Sequence, residues 1–261
     1  MALSTEEWTL PVKAKVAEVL AATDFVVPKT ECSLITSPDA TFALAIDHTL
    51  LKPDATPAQI DSLCDQAILS KFKSCCVNGT NVEQVSRRLA GSGVLTCAVI
   101  GFPLGAGTAA SKAFEAADAV KSGAHEIDMV LNIGALKAGN YALVHNEILA
   151  VVAAAAAPVK VILETVFLSD QEKIAASFLA AEAGATFVKT CTGFSGGAAS
   201  AEDVLLMRKT VAYKAGVKVK ASAGIRNFDK CLEMFRAGAE RIGTSSGAAI
   251  MQSVDATGGS Y

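Results

Sequence analysis

Two lysines stand where lysines are rarely found. The runs Phe187-Val188-Lys189-Thr190-Cys191 and Val217-Lys218-Val219-Lys220-Ala221 otherwise have the composition of buried strands. Lysine is poor in strands and is almost never fully buried without a partner. In the second run lysines alternate with valines, so Lys218 and Lys220 share one face. With the valines facing a layer of helices, both lysines point inward, and Lys220 lies nearer the strand end. Two ammonium groups in one low-dielectric interior repel, and each loses hydration. Both effects lower a lysine pKa towards a neutral amine. A neutral amine attacks a carbonyl carbon and forms a Schiff base. A lone strand lysine more often snorkels, or pairs with a carboxylate such as Asp128 or Glu164. Two of them on neighbouring strands, with acidic residues nearby, favour the chemical reading.

Those strands belong to a repeat. Strand-like runs are predicted over 42–48, 74–78, 95–102, 126–132, 160–166, 187–193, 217–223 and 241–245, and helical stretches begin near Pro57, Thr80, Thr108, Ala138, Ser169, Ala201, Asn227 and Gly247. Thr56-Pro57 puts a proline at a first helical position, and Ser169 with Glu172 forms a capping-box pattern. Glycines such as Gly123 and Gly238 fall just past helical runs, where a left-handed cap favours them. Eight alternating βα units predict an α/β fold, a (β/α)8 TIM barrel, over residues 41–252. A doubly wound sheet is the rival, but no G-x-G-x-x-G follows the first strand. Residues 1–40 are expected to form an extension with a helix over 11–23, capping the barrel bottom or making an oligomer contact. Residues 253–261 are expected to be a flexible tail.

In such barrels the site lies at the C-terminal ends of the strands. That end offers Asp47, His48 and Lys52; Cys76 and Asn78; Glu126, Asp128 and Asn132; Glu164; Lys189, Thr190, Cys191 and Thr192; and Lys220. A second group is rich in glycine and hydroxyls: Thr192-Gly193, Ser222-Ala223-Gly224 and Gly243-Thr244-Ser245-Ser246-Gly247. Loops after the last strands of this fold commonly cradle phosphate with backbone N–H groups and a helix N-terminus.

Bulk properties exclude other classes. The 261 residues are 51% hydrophobic and 19% charged, with a net charge of −3. A large core is affordable, disorder is not expected, and no basic stripe invites nucleic acid. The longest apolar run, 148–158, is too short to cross a bilayer, and the N-terminus lacks a signal pattern. Seven cysteines without C-x-x-C spacing suggest reduced thiols in the cytoplasm and carry no zinc signature. His48, His125 and His145 do not accompany a nucleophile elbow.

The chain resembles the deoxyribose-phosphate aldolase family from about Ile46 to Ser246. The matching stretches include Ile46-Asp47-His48-Thr49-Leu50-Leu51-Lys52-Pro53, Cys76-Val77-Asn78, Val99-Ile100-Gly101-Phe102-Pro103, Glu126-Ile127-Asp128-Met129-Val130 and Asn132-Ile133-Gly134. They continue in Val188-Lys189-Thr190-Cys191-Thr192-Gly193-Phe194, Lys220-Ala221-Ser222-Ala223-Gly224-Ile225-Arg226 and Ile242-Gly243-Thr244-Ser245-Ser246. The resemblance implies reversible cleavage of 2-deoxy-D-ribose 5-phosphate to acetaldehyde and D-glyceraldehyde 3-phosphate, without metal or other cofactor. It makes Lys189 the Schiff-base lysine, Lys220 the lysine that tunes it, and Asp128 the proton carrier. Phosphate and substrate would meet Asp47, Thr192, Gly193, Gly224, Ser245 and Ser246. Asp47 is expected to orient Lys52 or a substrate hydroxyl, and Cys76 to be a small buried thiol near the mouth. A homodimer is expected, with no nucleic-acid or membrane partner. Tyr261 either folds over the site or frays.

Two departures stand out. The family usually has two glycines before the Ile-Arg pair, and here the first is Ala223. Where the family usually has Gly-Pro-Gly-Gly, this chain has Ser195-Gly196-Gly197-Ala198. If position 223 needs positive φ, alanine strains the loop. Rival readings are a transaldolase-like lyase on the same fold, a phosphate-binding barrel without catalysis, and a barrel isomerase.

Overall fold

The computed structural model describes residues 3–252. The expected tail, with Tyr261, lies outside the described residues.

Eight parallel strands close into a barrel in sequence order. They are β1 (Ile46–Leu50), β2 (Ser74–Asn78), β3 (Leu95–Ile100), β4 (Glu126–Val130), β5 (Val159–Ile162), β6 (Phe187–Lys189), β7 (Lys218–Ser222) and β8 (Arg241–Thr244). The helices are α1 (Thr5–Ala21), α2 (Ala40–Ala43), α3 (Pro57–Ser70), α4 (Val82–Leu89), α5 (Ala109–Lys121), α6 (Ile133–Lys137), α7 (Tyr141–Ala155), α8 (Asp170–Glu182), α9 (Ala201–Val211), α10 (Phe228–Arg236) and α11 (Gly247–Met251). The fold is the expected (β/α)8 barrel.

Local chemistry sets the helix starts. Thr56 and Ser169 both make full capping boxes, with Gln59 and Glu172. Gly123 and Gly238 leave their helices at φ +106° and +107°, a conformation that a side chain strongly opposes.

Several predicted elements differ, three of them in kind or extent at their starts. The run 42–48 is not one strand: Asp39 caps α2 by accepting from the backbone N–H of Thr41 and Phe42, and the strand begins only at Ile46. Phe42 is fully buried all the same; a short apolar run reports burial better than conformation. The helix expected from near Ala138 starts at Tyr141 as α7, and an unexpected short α6 ends just before it at Lys137, with Gly139 at φ +70° between them. The N-terminal helix is longer than 11–23 and starts at Thr5, because Ser4 and Glu7 form a capping box. Its buried Trp8, Val12 and Val19 face outer helices, and α1 packs on α7, α8 and α9 at the barrel flank. Thr30, Glu31, Cys32, Thr41, Leu44 and Ala45 instead line a cavity at the N-terminal ends of β6, β7 and β8, beside Phe187, Lys218 and Arg241.

Apolar packing lies mostly between barrel and helices, where Val77, Ile127, Val161, Val188, Val219 and Ile242 are fully buried. Alternate residues of the strands point inside, and many of them are charged. Asp47, Asp128, Lys160 and Lys220 are 0% exposed, and Lys189 is 4% exposed.

Candidate active site

Asp128, on β4, is the hub. Its Oδ2 accepts from Lys189 Nζ at 2.7 Å and from Lys220 Nζ at 2.7 Å. Its Oδ1 accepts from Lys160 Nζ at 2.9 Å and from Cys97 Sγ at 3.2 Å. Lys189 and Lys220 are direct neighbours in the β6–β7 register, which explains why both reach one oxygen. Lys220 also donates to Asp47 Oδ2 at 2.5 Å. Below them Arg241 joins Asp47 Oδ1 at 2.6 Å and Glu126 Oε2 at 3.0 Å, while Lys160 reaches Glu126 Oε2 at 2.6 Å.

Four cations therefore share three carboxylates inside the barrel: Lys160, Lys189, Lys220 and Arg241 with Asp47, Glu126 and Asp128. The expectation that burial and repulsion make both site lysines neutral fails for Lys220. Burial pulls its pKa down, but Asp128 and Asp47 outweigh burial and hold it above the ordinary lysine range. Burial works equally against the charged form of Asp128, yet Lys160, Lys189 and Lys220 hold its carboxyl well below the usual range. Asp47 behaves alike, with Arg241 as its strongest support. Lys160 is held up mainly by Asp128 against its burial. Lys189 differs from the other two lysines in its partners: its one carboxylate contact is an oxygen that Lys220 also uses.

Lys218 does not point into the interior. It lies one step below Lys220, 46% exposed at the barrel bottom, with Glu240 at 3.5 Å. Asp47 does not pair with Lys52 either; its oxygens are taken by Ser74, Arg241 and Lys220. Glu164 meets no lysine. It accepts from the Thr192 N–H at 3.2 Å, from the Thr192 hydroxyl, and from Ser195 Oγ at 3.3 Å. The Thr192 Oγ1 in turn accepts from the Phe194 N–H at 3.0 Å. Thr192 is thus bound into its own loop.

The glycine- and hydroxyl-rich residues all lie at or just past the C-terminal ends of the adjacent strands β6, β7 and β8. Gly193 and Gly224 have φ of +88° and +72°. Ser245 is exposed and the half-buried Ser246, which opens α11, donates its N–H to Thr244 Oγ1 at 2.9 Å. Hydroxyls lace these loops together: Thr190 to Ser222 O at 2.9 Å, Ser222 to Cys191 O at 2.7 Å, and Thr244 to Ile225 O at 2.7 Å. Ala223 has φ +81°, so the strained alternative applies.

An apolar wall faces the charges. Leu51, Cys76, Cys97 and Val99 cluster with Phe102, whose ring meets Phe194 edge-on with centroids 5.1 Å apart. The histidines stand apart: His48 binds Gln66, His125 accepts from the Thr96 N–H, and His145 stacks on Trp8.

Sequence reasoning passed over Lys160 and Arg241. The signal was the one that found Lys189, a cation at an inward strand position. Both residues open their predicted strands, where a charge reads as a boundary.

A closed parallel barrel with amines gathered on a carboxylate at its centre is the frame of an aldolase. The chain belongs to the DeoC/LacD family aldolases, whose family model matches residues 41–253; such enzymes are carbon–carbon lyases. "Deoxyribose-phosphate aldolase 2" of Staphylococcus aureus (strain MRSA252) is 57% identical over 215 residues, 82% of this chain and 97% of that protein. "Deoxyribose-phosphate aldolase 1" of strain Mu50 is 56% identical over 216 residues, 82% of this chain and 97% of that protein. A Coccidioides immitis structure described as a deoxyribose-phosphate aldolase is 39% identical, with TM-score 0.87, over 96% of this chain and 98% of that one. A tetrameric deoxyribose phosphate aldolase from Aeropyrum pernix is 31% identical, with TM-score 0.79, over 87% and 98%.

Proposed function

We propose that this protein reversibly cleaves 2-deoxy-D-ribose 5-phosphate to acetaldehyde and D-glyceraldehyde 3-phosphate through a Schiff base on Lys189. The names of its relatives supply the substrate. The observation that carries the chemistry is the Lys189 amine 2.7 Å from a carboxylate oxygen that a second lysine shares.

Attack on the carbonyl requires Lys189 to give up a proton. Fully ionised, the cluster holds one more positive than negative charge, so the loss of one proton leaves it neutral. Lys160 and Lys220 each keep two close carboxylates, whereas Lys189 has one. Loss of water then gives an iminium, the electron sink for breaking the C3–C4 bond. In the reverse direction the iminium acidifies the methyl group of bound acetaldehyde. Contact with both lysines supports Asp128 as the proton carrier, and the oxygen shared with Lys189 supports Lys220 as the lysine that tunes it. The sink is organic, so neither metal nor cofactor is called for. The loops after β6, β7 and β8, with Gly193, Gly224, Ser245 and Ser246, are read as the phosphate anchor that fixes the reacting carbon. Asp47 acts from beneath, through Lys220, and Thr192 shapes its loop.

We read the protein as a cytoplasmic homodimer with no nucleic-acid partner. Among the described residues no helix is long and apolar enough to cross a membrane. The described cysteines are free, as suits a reducing compartment.

Borohydride reduction with acetaldehyde should leave an ethyl group on Lys189, located by peptide mass. Lys189→Arg should lower kcat by at least about 1,000-fold, because covalent catalysis is lost while folding charge is kept. An ethyl group on Lys220 would overturn the assignment.

A further inference from the structure

Two interior thiols have no part in the chemistry above. Cys76 on β2 and Cys97 on β3 are direct cross-strand partners. Both are 0% exposed. They belong to the inner cluster with Leu51 and Val99, whereas their neighbours Cys75, Val77 and Ala98 pack in the outer core. The two sulfurs and an Asp128 oxygen all lie within 4.8 Å of one another. Cys97 Sγ donates to Asp128 Oδ1 at 3.2 Å, and Lys160 Nζ lies 3.4 Å from the same sulfur.

Three ligand atoms so close could suggest a metal. Asp128, however, already holds three ammonium groups at 2.7, 2.7 and 2.9 Å, and a dication placed there meets strong repulsion. Joining two thiols adds no charge. Adjacent strands run about 4.8 Å apart, inside the Cα separation of about 4.4–6.8 Å that disulfides span. Closing the bond thus asks for side-chain rotation and little backbone movement.

We propose that Cys76 and Cys97 form a reversible dithiol–disulfide site, closed by a hydroperoxide and reopened by thiols, that switches the aldolase off. The switching rests on the reading of Asp128 as the proton carrier; the bond itself does not. Any route that brings a sugar phosphate to Lys189 also admits a small peroxide to the neighbouring wall.

The steps balance. The Cys76 sulfur attacks the peroxide, the O–O bond breaks, and the alcohol (water, from hydrogen peroxide) leaves with the thiol proton. Cys76 is now a sulfenic acid. Cys97 passes its S–H proton to Asp128 and attacks the Cys76 sulfur. The S–O bond breaks, and hydroxide leaves as water with the proton from Asp128. Two thiols lose two electrons, and the peroxide gains them. The roles follow from the surroundings. Proximity to Cys97, Lys220 and Lys189 holds the Cys76 thiol below its usual range, which favours the attacking thiolate. Burial, Cys76 and Asp128 hold Cys97 well above that range, as suits the partner that keeps its proton until the second step. Once closed, the bond removes a donor from Asp128 Oδ1 and draws the sulfur from Lys160. That disturbs the carboxylate whose other oxygen serves Lys189 and Lys220.

The test uses the full-length protein, a small excess of hydrogen peroxide, then dithiothreitol. Activity should fall about 100-fold, the low end of what acid–base catalysis contributes, and should return on reduction. A non-reduced digest should contain a peptide joining Cys76 to Cys97. Cys97→Ala and Cys76→Ser, each compared with its own untreated rate, should show neither the linked peptide nor a recoverable loss. The other close thiol pair, Cys64 with Cys75, sits outside the barrel under α3 and should stay reduced. No linked peptide in the inactivated protein, a linked peptide with full activity, or a recoverable loss in Cys97→Ala would each overturn the proposal. Failure of the aldolase reading would appear differently, as no turnover before any oxidant is added.

Discussion

An alanine at φ +81° stores strain that glycine would release. Ala223 is 1% exposed and immediately precedes Gly224, which has positive φ as well. A left-handed alanine costs roughly 1–2 kcal/mol, while glycine loses about 0.5–1 kcal/mol more backbone entropy on folding. Strain therefore slightly outweighs entropy. Ala223→Gly is expected to leave stability unchanged or raise it by about 1 kcal/mol, read as the urea midpoint. The loop is read as part of the phosphate anchor, so KM for the sugar phosphate should fall a few-fold while kcat holds. A rise in KM would show that the methyl group helps shape the site.

The loop after β6 is held by a residue of the turn after β5. Glu164 sits at φ +57° and is 1% exposed, a backbone conformation uncommon for a residue with a side chain. Its carboxylate gathers the Thr192 N–H, the Thr192 hydroxyl and Ser195. Strain at 164 is therefore offset by bonds that fix the segment just beyond Lys189. Glu164→Gln weakens a charge-assisted clamp without changing its shape. KM should rise several-fold, with kcat falling less, because Lys189 itself is held by β6. An equal loss in kcat with KM unchanged would place Glu164 in the chemistry instead. The same loop shows where sequence reading stops. Strands 74–78 and 126–132 begin where predicted, since apolar alternation starts with the ladder. Strands 160–166 and 187–193 end early, at Ile162 and Lys189. Residues beyond those points keep a strand-like composition while Glu164 and Gly193 turn the chain, and composition does not encode that turn. The interior lysines were legible because a strand rarely tolerates them. The carboxylates that charge Lys220 were visible too, but their distances from it come only from barrel closure.

At the scale of the whole molecule, buried ionisable groups determine how stability follows pH. His48 is 1% exposed, and burial holds its imidazole below the usual range. The unfolded chain takes that proton near about pH 6.5. The folded chain resists it, so stability is complete above about pH 6.5 and declines as pH falls. Asp47 and Asp128 also have depressed folded pKa values. Their contribution is complete above the unfolded value of about 3.9 and is lost below it. Lys160 and Lys220 are raised; their contribution is complete below about pH 10.4 and is lost as pH climbs through the folded values. Glu147 runs the other way: burial raises its carboxyl, so acidification through its raised folded value towards the unfolded carboxyl range adds stability. A comparison of variants separates the two. Between pH 7.5 and 5 the parent should lose up to about 1.4 kcal/mol per pH unit more than His48→Asn, the limit for one proton. Urea midpoints across that range measure the difference. If the gap between the two proteins stays constant with pH, His48 takes up its proton as easily folded as unfolded, and burial does not govern it.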